Sequence, residues 1–367
     1  MMKSGIKLLK MACFCFVLAG IVACESTPLP DPETPQALHG IFILNQGENM
    51  QNNASLSFYD PESKTVSQVT FPDPNRPGET EPLGDLGQDM IRYGNKLYIV
   101  VSNSSYIRVL NPETKQTLGK IVLEDSENKP RNPRYLAAYD GKVYVTCSTD
   151  GTVARIDTTS LAIEKSLKVG ANPEGIAACS YNGKLYVANS GYGSDKTVSV
   201  INPATFEEET KIEVGLNPNF VKAGKENYLY LNYQGNFNDI PGGFQRIDLT
   251  NNTVTTLGSY PKADFVWEDG YVYYYDVTYD PTDWSVKLTY GKFDERGESY
   301  PNPSPLITDN TPLVAPYGIA IAPVTKEIYL MDAGDYANPG NVYIFDPQGR
   351  KTGTLTVGIS PCKVVFY

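Results

Sequence analysis

The sequence predicts an all-β fold, on the basis of its composition and of a repeating strand pattern. The chain has 367 residues, of which 41% are hydrophobic and 20% charged, as is typical of a globular domain. Tyrosine is unusually frequent, with 26 residues, and it is enriched in β-strands together with Val, Ile and Thr. Short runs of alternating apolar residues, separated by Gly, Asn and Pro, recur along the chain and indicate antiparallel strands.

Residues 171–215 define the repeating unit. They divide into four strand-like segments, EGIAAC, KLYVAN, TVSVIN and ETKIEV, which are separated by turn residues. Four antiparallel strands in about 45 residues form one blade of a β-propeller. The aromatic residue of the second strand recurs at Phe42, Tyr98, Tyr144, Tyr186, Tyr230, Tyr273 and Tyr329. These seven positions predict a seven-bladed β-propeller of four-stranded antiparallel blades.

The two ends of the repeat region predict how the ring closes. The first unit begins at residues 39–47 with a second strand, and no innermost strand precedes it. Residues 359–367 match an innermost strand, and no blade follows them. We therefore expect the C-terminal strand to join the first blade, because a ring closed in this way leaves no open sheet edge.

The repeats resemble the YVTN-type β-propellers. YVAN at 186–189 and YVTC at 144–147 take the place of the tetrapeptide that names this group, and Asn-Pro at 172 and Val-Gly at 169 and 214 flank them. The resemblance covers residues 39–367, and it implies the same propeller fold.

The N-terminus predicts export and lipid attachment. Residues 1–23 begin with three lysines and continue into an apolar run that is too short to span a bilayer and is typical of a signal peptide. Its Ile-Val-Ala-Cys ending resembles a bacterial lipobox and implies lipidation of Cys24, with plain secretion and cleavage near Ala23 as the alternative. We divide the remainder into a flexible tether at 24–38 and the propeller at 39–367.

A lipobox combined with such a propeller resembles the Bacteroidetes surface lipoproteins that accompany TonB-dependent outer-membrane transporters. The best understood of these proteins capture cobalamin (vitamin B12). The resemblance therefore implies a lipid-anchored protein of the outer membrane, on the cell surface, with a corrinoid as ligand and a TonB-dependent transporter as partner.

Charge and cysteine content limit the classes of partner. The net charge of −11 predicts repulsion of nucleic acid and anionic lipid, so we expect membrane contact through the lipid anchor only. Cys147, Cys179 and Cys362 lie in strand-like runs. We expect them to be buried thiols, with a Cys147–Cys179 disulfide as the alternative in an exported protein.

The loops on one face of the ring predict a ligand site. In a propeller, the loops between second and third strands emerge on the same face as the loops that lead to the next blade. The loops between second and third strands are long and rich in Asn, Asp and Gly, residues that are common in turns. The preferences of turns do not explain the large aromatic residues in the same loops. The aromatic residues are Tyr192, Tyr233, Phe237, Tyr279, Trp284 and Tyr336, and the selected polar residues are Asn45, Gln46, Asn49, Asn189, Asn236, Asp332 and Asp335. Together they predict a surface that stacks against and hydrogen-bonds a sizeable polar ligand or a protein.

The interblade loops add an inner ring of residues that differ in charge and size from blade to blade. The pairs are Cys362–Lys363, Gln88–Asp89, Arg134–Tyr135, Glu174–Gly175, Asn219–Phe220, Ala263–Asp264 and Tyr317–Gly318. Such variety suits an asymmetric ligand, and drift between repeats is the alternative. From this ring the predicted ligand-binding residues are Gln88, Arg134, Tyr135, Glu174, Asn219, Phe220 and Tyr317.

The residues that many hydrolases use are scarce. The one histidine, His39, lies at the boundary of tether and propeller, so neither a Ser-His-Asp triad nor a multi-histidine metal site can form. We find no GxSxG, Walker, HExxH or CxxC motif. We therefore expect a protein that is not an enzyme and that holds no cofactor or metal.

The sequence and the resemblance together predict a lipoprotein that captures a corrinoid or a similar large polar molecule and passes it to a transporter. One alternative is a hydrolase or lyase for lactones or glycans, using Glu174, Asp89 and Asp264 with or without Ca²⁺. A protein-interaction scaffold is a third possibility.

Overall fold

A computed structural model describes most of the propeller region. The described residues are 38–224, 226–259, 263–279, 282, 286–294 and 304–367, without the side chains of Tyr279 and Val286. The predicted signal peptide, residues 24–37 of the predicted tether with Cys24, and Trp284 lie outside the described residues. Within the described ranges the regular structure is strand, and no helical segment has the length and apolarity that crossing a bilayer requires.

The first three blades follow one another along the chain. The first contains β1 (Ile41–Asn45), β2 (Ser55–Asp60) and β3 (Thr65–Val69). A hairpin of β4 (Phe71–Pro72) and β5 (Thr80–Glu81) comes next. The second contains β6 (Gly87–Tyr93), β7 (Lys96–Val101), β8 (Tyr106–Leu110) and β9 (Thr117–Val122). The third contains β10 (Pro133–Tyr139), β11 (Lys142–Cys147), β12 (Thr152–Asp157) and β13 (Ile163–Lys168).

The remaining blades repeat this order. The fourth contains β14 (Pro173–Cys179), β15 (Lys184–Asn189), β16 (Thr197–Asn202) and β17 (Glu207–Glu213). The fifth contains β18 (Pro218–Ala223), β19 (Tyr228–Gly235), β20 (Pro241–Asp248) and β21 (Thr253–Gly258). The sixth contains β22 (Asp264–Glu268), β23 (Tyr271–Tyr279), β24 (Val286–Asp294) and β25 (Ser304–Pro305). The seventh contains β26 (Pro316–Ile321), β27 (Ile328–Asp332), β28 (Pro339–Phe345) and β29 (Lys351–Ile359), and β30 (Pro361–Phe366) follows it.

The C-terminal strand completes the first blade, as the sequence predicts. β30 pairs antiparallel with β1, so that the sheet order is β3-β2-β1-β30. Ile43 lies opposite Val364, and Phe42 lies opposite Val365. The backbone of Tyr367 extends the pairing, because its carbonyl accepts hydrogen bonds from the amides of His39 and Gly40. The seven four-stranded antiparallel blades of the described chain confirm the predicted fold class.

The hydrophobic core lies between neighbouring blades. One cluster joins Phe42 and Leu56 of the first blade to Leu97 and Ile99 of the second. The aromatic residues that recur in the second strands are buried in every blade. Stacking the faces of adjacent sheets in this way buries each blade against the next.

Glycine and asparagine of the repeat motif fit together between blades. A Cβ atom on Gly170, at the end of the third blade, would lie 2.3 Å from the side chain of Asn189 in the fourth blade. The Gly170 amide donates a hydrogen bond to the Asn189 side-chain oxygen at 3.0 Å. Gly358 leaves equivalent room for Asn45 where the seventh blade meets the first. The Val-Gly pairs and the final Asn of the motif therefore have a packing role.

Cysteines 147 and 179 are buried free thiols, and Cys362 is a half-buried free thiol. The disulfide considered for Cys147 and Cys179 is absent from the described chain. Burial raises the pKa of Cys147 to about 12, which keeps it protonated and unreactive at neutral pH.

Ring closure can be tested at Val364, whose side chain is buried between β30 and the core of the seventh blade. We expect Val364→Ala to lower the free energy of unfolding by about 1–3 kcal/mol, because it leaves a cavity at the closing strand. Deletion of residues 360–367 should abolish cooperative unfolding. Val122→Ala is the control, because that valine is exposed in β9. Equal melting temperatures for the two valine variants would contradict this role of β30.

Candidate functional site

The ring encloses a central cavity of about 1090 Å³, which is at the upper end of the range of about 300–1,000 Å³ for ligand pockets. Inner strands form its wall, and loops between second and third strands form its mouth. Ten predicted ligand-binding residues line it: Gln46, Asn49, Gln88, Arg134, Tyr135, Asn219, Phe220, Phe237, Tyr317 and Tyr336.

Bulges at the start of the inner strands turn side chains toward this cavity. In the third blade the pairing register shifts between Pro133 and Leu136, so that two residues, Arg134 and Tyr135, oppose the single residue Thr146. The same shift follows Pro173 and Pro218 in the next two blades. A β-bulge bends the strand and redirects the extra side chain. In the third and fifth blades the proline therefore marks where the inner strand supplies cavity residues.

A hydrogen-bonded network covers one side of the cavity. Arg134 Nε donates to Glu174 Oε2 at 2.8 Å, and Arg134 Nη1 donates to Gln88 Oε1 at 2.7 Å. Gln88 Nε2 donates to the Tyr135 hydroxyl at 3.0 Å. Burial raises the pKa of Glu174, and the Arg134 charge offsets this only in part. Glu174 does not line the cavity itself, and its role is to hold the Arg134 guanidinium in place.

Charged groups form a second cluster deeper in the cavity, which we call the floor: Asp89, Lys222, Asp264 and Lys363. Lys363 Nζ lies 2.9 Å from Asp89 Oδ1. Burial lowers the pKa of Lys363, but the attraction of Asp89 outweighs it, so the pKa lies above its ordinary value. Burial raises the pKa of Asp264, which favours its protonated form.

Aromatic rings form two walls of the cavity. Tyr135 of the third blade and Phe220 of the fifth contact each other edge to face, with ring centroids 5.3 Å apart. Tyr317 and Tyr336 of the seventh blade make a similar contact at 5.5 Å, and the Tyr317 hydroxyl donates to Gln46 Oε1 at 2.6 Å. These edge-to-face pairs present apolar surface to the cavity.

The contact between Tyr135 and Phe220 depends on the glycine of the intervening blade. Gly175 stands where neighbouring blades carry Tyr135 and Phe220, and a Cβ atom there would lie 2.6 Å from the backbone oxygen of Asn219. Gly318 likewise allows close approach of a neighbouring strand, because a Cβ atom there would lie 2.6 Å from the carbonyl oxygen of Cys362. Part of the variation around the inner ring is therefore required by close packing of strands.

Several residues with exposed side chains at the cavity mouth have an unusual backbone conformation, with positive φ. Tyr192, Phe237 and Tyr336 have φ values of 50°, 59° and 63°, which bulky residues rarely adopt. Tyr192 and Phe237 are 74% and 77% exposed. Met50 in the first-blade loop shares the conformation and is 80% exposed. Large apolar groups in strained, solvent-exposed positions indicate a contact surface.

Several predicted binding residues have structural roles. Asn45 and Asn189 are fully buried, and their amides donate to Ser57 and Ser199. Asp332 is also buried and accepts hydrogen bonds from three backbone amides, of Val314, Ala315 and Gly334. Hydrogen bonds within the fold therefore occupy the side chains of Asn189 and Asp332 and the side-chain nitrogen of Asn45.

Asn236, Asp335 and Tyr233 do not line the cavity. Asn236 and Asp335 accept hydrogen bonds from backbone amides of their own loops. Tyr233 packs against Gly215 and Gly243, where added Cβ atoms would collide with its ring. Tyr279 ends β23, and its side chain, like the whole of Trp284, lies outside the described part of the chain.

The structure adds cavity residues that are absent from the predicted ligand-binding set. They are Glu48, Lys222, Gln234, Tyr275 and Lys363, together with Asp89 and Asp264, which the sequence argument named only for the hydrolase alternative. Lys222 could have been found from the sequence. It lies opposite Tyr230, the aromatic residue of the second strand. Ala137 and Ala177 lie opposite the equivalent tyrosines of the third and fourth blades. Aligning the blades on their aromatic residues would have shown one lysine among small apolar residues. Among the described residues, no three His, Cys, Asp or Glu side chains are grouped as metal ligands.

Comparison with known proteins identifies a family and a fold. A family model described as a domain of unknown function (DUF5074) matches residues 39–358. No curated protein matches the sequence significantly. Among solved structures, a predicted 6-phosphogluconolactonase of Bacteroides fragilis NCTC 9343 superposes with a TM-score of 0.60 at 13% identity, covering 90% of this chain and 98% of that one.

Two further solved structures are similar. Hydrazine synthase of Kuenenia stuttgartiensis has a TM-score of 0.60 at 18% identity, with 73% of this chain and 85% of that chain covered. The dihydro-haem d1 dehydrogenase NirN, in complex with DHE, has a TM-score of 0.58 at 10% identity, with 92% and 77% covered. At these identities the likeness shows the propeller fold alone.

These structures correct the prediction that the protein is not an enzyme. Propellers similar to this chain carry the names of a lactonase, a dehydrogenase and a synthase. The prediction was wrong because it treated missing histidines and motifs as missing chemistry. Two carboxylates in different environments suffice for acid–base catalysis, and Asp89 and Asp264 line one cavity.

The packing role of Gly175 can be tested directly. We expect Gly175→Ala to destabilise the protein by about 1–3 kcal/mol, because the new methyl group overlaps the backbone of β18. Gly353→Ala is the matched control, since a Cβ atom there meets side-chain atoms at 3.4 Å and beyond. The measurement is thermal unfolding followed by circular dichroism. Equal melting temperatures for the two variants would rule out the tight approach of β14 and β18.

Proposed function

This chain belongs to the DUF5074 family, a domain of unknown function, and we propose that its central cavity binds a large polar organic ligand, a corrinoid in the first instance. The observation that carries the proposal is the cavity itself, which combines about 1090 Å³ of space with aromatic walls and converging polar groups. Large apolar pockets with a few well-placed polar groups are the usual sites for organic ligands.

The polar groups suit a ligand with an amide-rich periphery. Gln46, Gln88, Asn49 and Asn219 line the cavity and can both donate and accept hydrogen bonds. A corrinoid has a broad, flat macrocycle with amide side chains, so its ring can lie against Tyr317 and Phe237 while its amides meet these residues. The closed ring holds the walls in place before binding, which lowers the entropic cost of association.

The charge of the cavity supports a ligand that is close to neutral. Its lining contains three cationic side chains, Arg134, Lys222 and Lys363. It also contains three acidic ones, Glu48, Asp89 and Asp264. The lining is therefore balanced, although the whole chain carries a net charge of −11.

The location and the partner are proposed from the sequence. Lipidation of Cys24 would tether the propeller to the outer membrane, and a TonB-dependent transporter would receive the ligand. The exposed Met50 and Tyr192 do not line the cavity, so they remain available to a protein partner while a ligand occupies it. Exposed apolar groups of this kind are typical of interaction surfaces.

Calorimetry with cyanocobalamin tests the ligand proposal. We expect Phe237→Ala and Tyr336→Ala each to weaken binding about ten-fold, equivalent to about 1.4 kcal/mol, because each removes an aromatic contact at the mouth. Tyr181→Ala is the matched control, because Tyr181 is 50% exposed in the turn between β14 and β15 on the opposite face.

The outcomes separate the ligand from the site. Absence of heat with cyanocobalamin would reject the corrinoid. Heat with haem, a siderophore or a glycan, lost in the two mouth variants, would retain the cavity as a binding site for another ligand. Binding heat that is unchanged in both variants would show that Phe237 and Tyr336 at the cavity mouth do not contact the ligand.

A second candidate function is hydrolysis of a lactone or glycan in the same cavity. The observation in its favour is that Asp89 forms an ion pair with Lys363, whereas burial raises the pKa of Asp264. Such a pair can divide the work, with Asp89 activating water and Asp264 protonating the leaving oxygen. Burial also raises the pKa of Glu174, but that residue lies outside the lining.

Turnover of 6-phosphogluconolactone, followed by acid release, tests this candidate. We expect Asp264→Asn to lower the rate at least about 100-fold, the usual loss for a general acid. The control is Asp269→Asn, whose side chain is 73% exposed. The rate should fall as the pH rises through the elevated pKa of Asp264, and EDTA should have no effect if the carboxylates act alone. Hydrolysis no faster than in buffer would reject this substrate, and equal rates for both variants would reject Asp264.

A further inference from the structure

Lys222 stands out among the residues of its layer in the ring. The register places seven residues at equivalent inner-strand positions: Val365, Ile91, Ala137, Ala177, Lys222, Val266 and Ala320. Six of them are small or apolar, and Lys222 alone is charged. Its side chain nevertheless lines the central cavity. Because no other blade has a charged residue at this position, the repeat itself does not explain why a lysine is present.

The ammonium group of Lys222 has no hydrogen-bond acceptor or ion-pair partner among the described residues. Its nearest recorded contact is the ring of Phe220, whose centroid lies 5.4 Å from Nζ. The neighbouring acid Asp89 is occupied by Lys363 at 2.9 Å. Asp264 accepts a hydrogen bond from the Phe265 amide and makes no ion pair with Lys222. The amine is therefore open to a molecule in the cavity.

Two features of this environment favour the neutral, nucleophilic form of the amine. Burial removes water from it, and the charge of Lys363 repels a second cation. Both lower the pKa of Lys222, although the charges of Asp264 and Asp89 act in the opposite direction. Tyr135 and Tyr275 share the cavity and remain protonated, because burial raises the pKa of each well above its ordinary value. A desolvated lysine beside another cation is the recognised environment of imine-forming lysines.

We propose that Lys222 is a reactive amine that forms an imine with an aldehyde or ketone entering the central cavity. The neutral nitrogen attacks the carbonyl carbon, and one of its two protons passes to the carbonyl oxygen to give a carbinolamine. Loss of the hydroxyl group as water then gives the imine, so that one carbonyl compound and one amine yield one imine and one water. Asp264 lines the same cavity, and burial favours its protonated form, so it can deliver the proton that the departing hydroxyl requires and regain a proton from the nitrogen as the imine forms.

This site is independent of the corrinoid proposal. Its substrate class is a carbonyl compound small enough to pass the mouth, and no corrinoid is needed for the reaction. Lys129 provides an internal reference, because its side chain is 68% exposed, lies in the chain segment between β9 and β10 and does not line the cavity.

Reductive trapping tests the proposal. The full propeller is incubated with acetaldehyde or with pyridoxal 5′-phosphate, reduced with sodium borohydride, and digested for peptide mass spectrometry. We expect the adduct on Lys222 to form at least about ten-fold faster than the adduct on Lys129 near neutral pH. Lys222→Met should remove this fast adduct without lowering the melting temperature, because it keeps most of the side-chain volume and removes a desolvated amine that has no ion-pair partner.

A second variant separates reactivity from folding. Asp264→Asn should slow trapping at Lys222 without changing the rate at Lys129, since it removes the proton donor and leaves the amine in place. Labelling of Lys222 no faster than that of Lys129 would overturn the proposal, as would equal rates in the wild type and Asp264→Asn. Protection of Lys222 by cyanocobalamin would place both ligands in one cavity. Fast labelling without such protection would leave Lys222 reactive and count against the corrinoid alone.

Discussion

The pairing of β30 with β1 is the interaction on which the rest of the structure depends. It joins residues that are more than 300 positions apart in the sequence and supplies the first blade with its inner strand. Lys363 reaches the cavity only because this pairing sets its register opposite Leu44. The ion pair between Lys363 and Asp89 then connects the closing strand to the second blade. Closure of the ring and assembly of the charged floor are thus the same event.

Repeated residues and unrepeated residues serve different purposes in this ring. The Val-Gly pairs, the final Asn of the second strand and the prolines before the bulges recur because each blade must pack against the next. Tyr135, Lys222, Asp264 and Tyr317 do not recur, and all of them line the cavity. Gly175 and Gly318 are the exception, since they vary from the repeat for a packing reason. Departure from the repeat therefore marks a candidate binding residue only where the side chain is not needed for strand contact.

The fold could be predicted from the sequence because its signals are local. The aromatic residue of each second strand, the turns around it and the unmatched terminal segments need no knowledge of distant contacts. The site was predicted only in part, because the sequence does not show which polar side chains are already hydrogen-bonded within the fold. Asn45, Asn189 and Asp332 end their strands, where binding residues are expected. Yet backbone and hydroxyl groups of the fold bind the side chains of Asn189 and Asp332 and the side-chain nitrogen of Asn45. The contact of Tyr135 with Phe220 skips a whole blade, and no repeat alignment could reveal it.

Binding and catalysis draw on the same groups in this cavity, so its electrostatics matters more than its shape in deciding between them. A site built only to hold a neutral ligand would pair each of its charges, as Arg134 and Glu174 are paired. Lys222 and Asp264 line the same cavity without an ion pair, and burial lowers the pKa of the amine and raises that of the acid. Both shifts favour the neutral forms, which are the forms that accept and donate protons or attack a carbonyl. Desolvated charged groups without an ion-pair partner cost stability, and the presence of two such groups in one cavity is what the proposed chemistry at Lys222 requires.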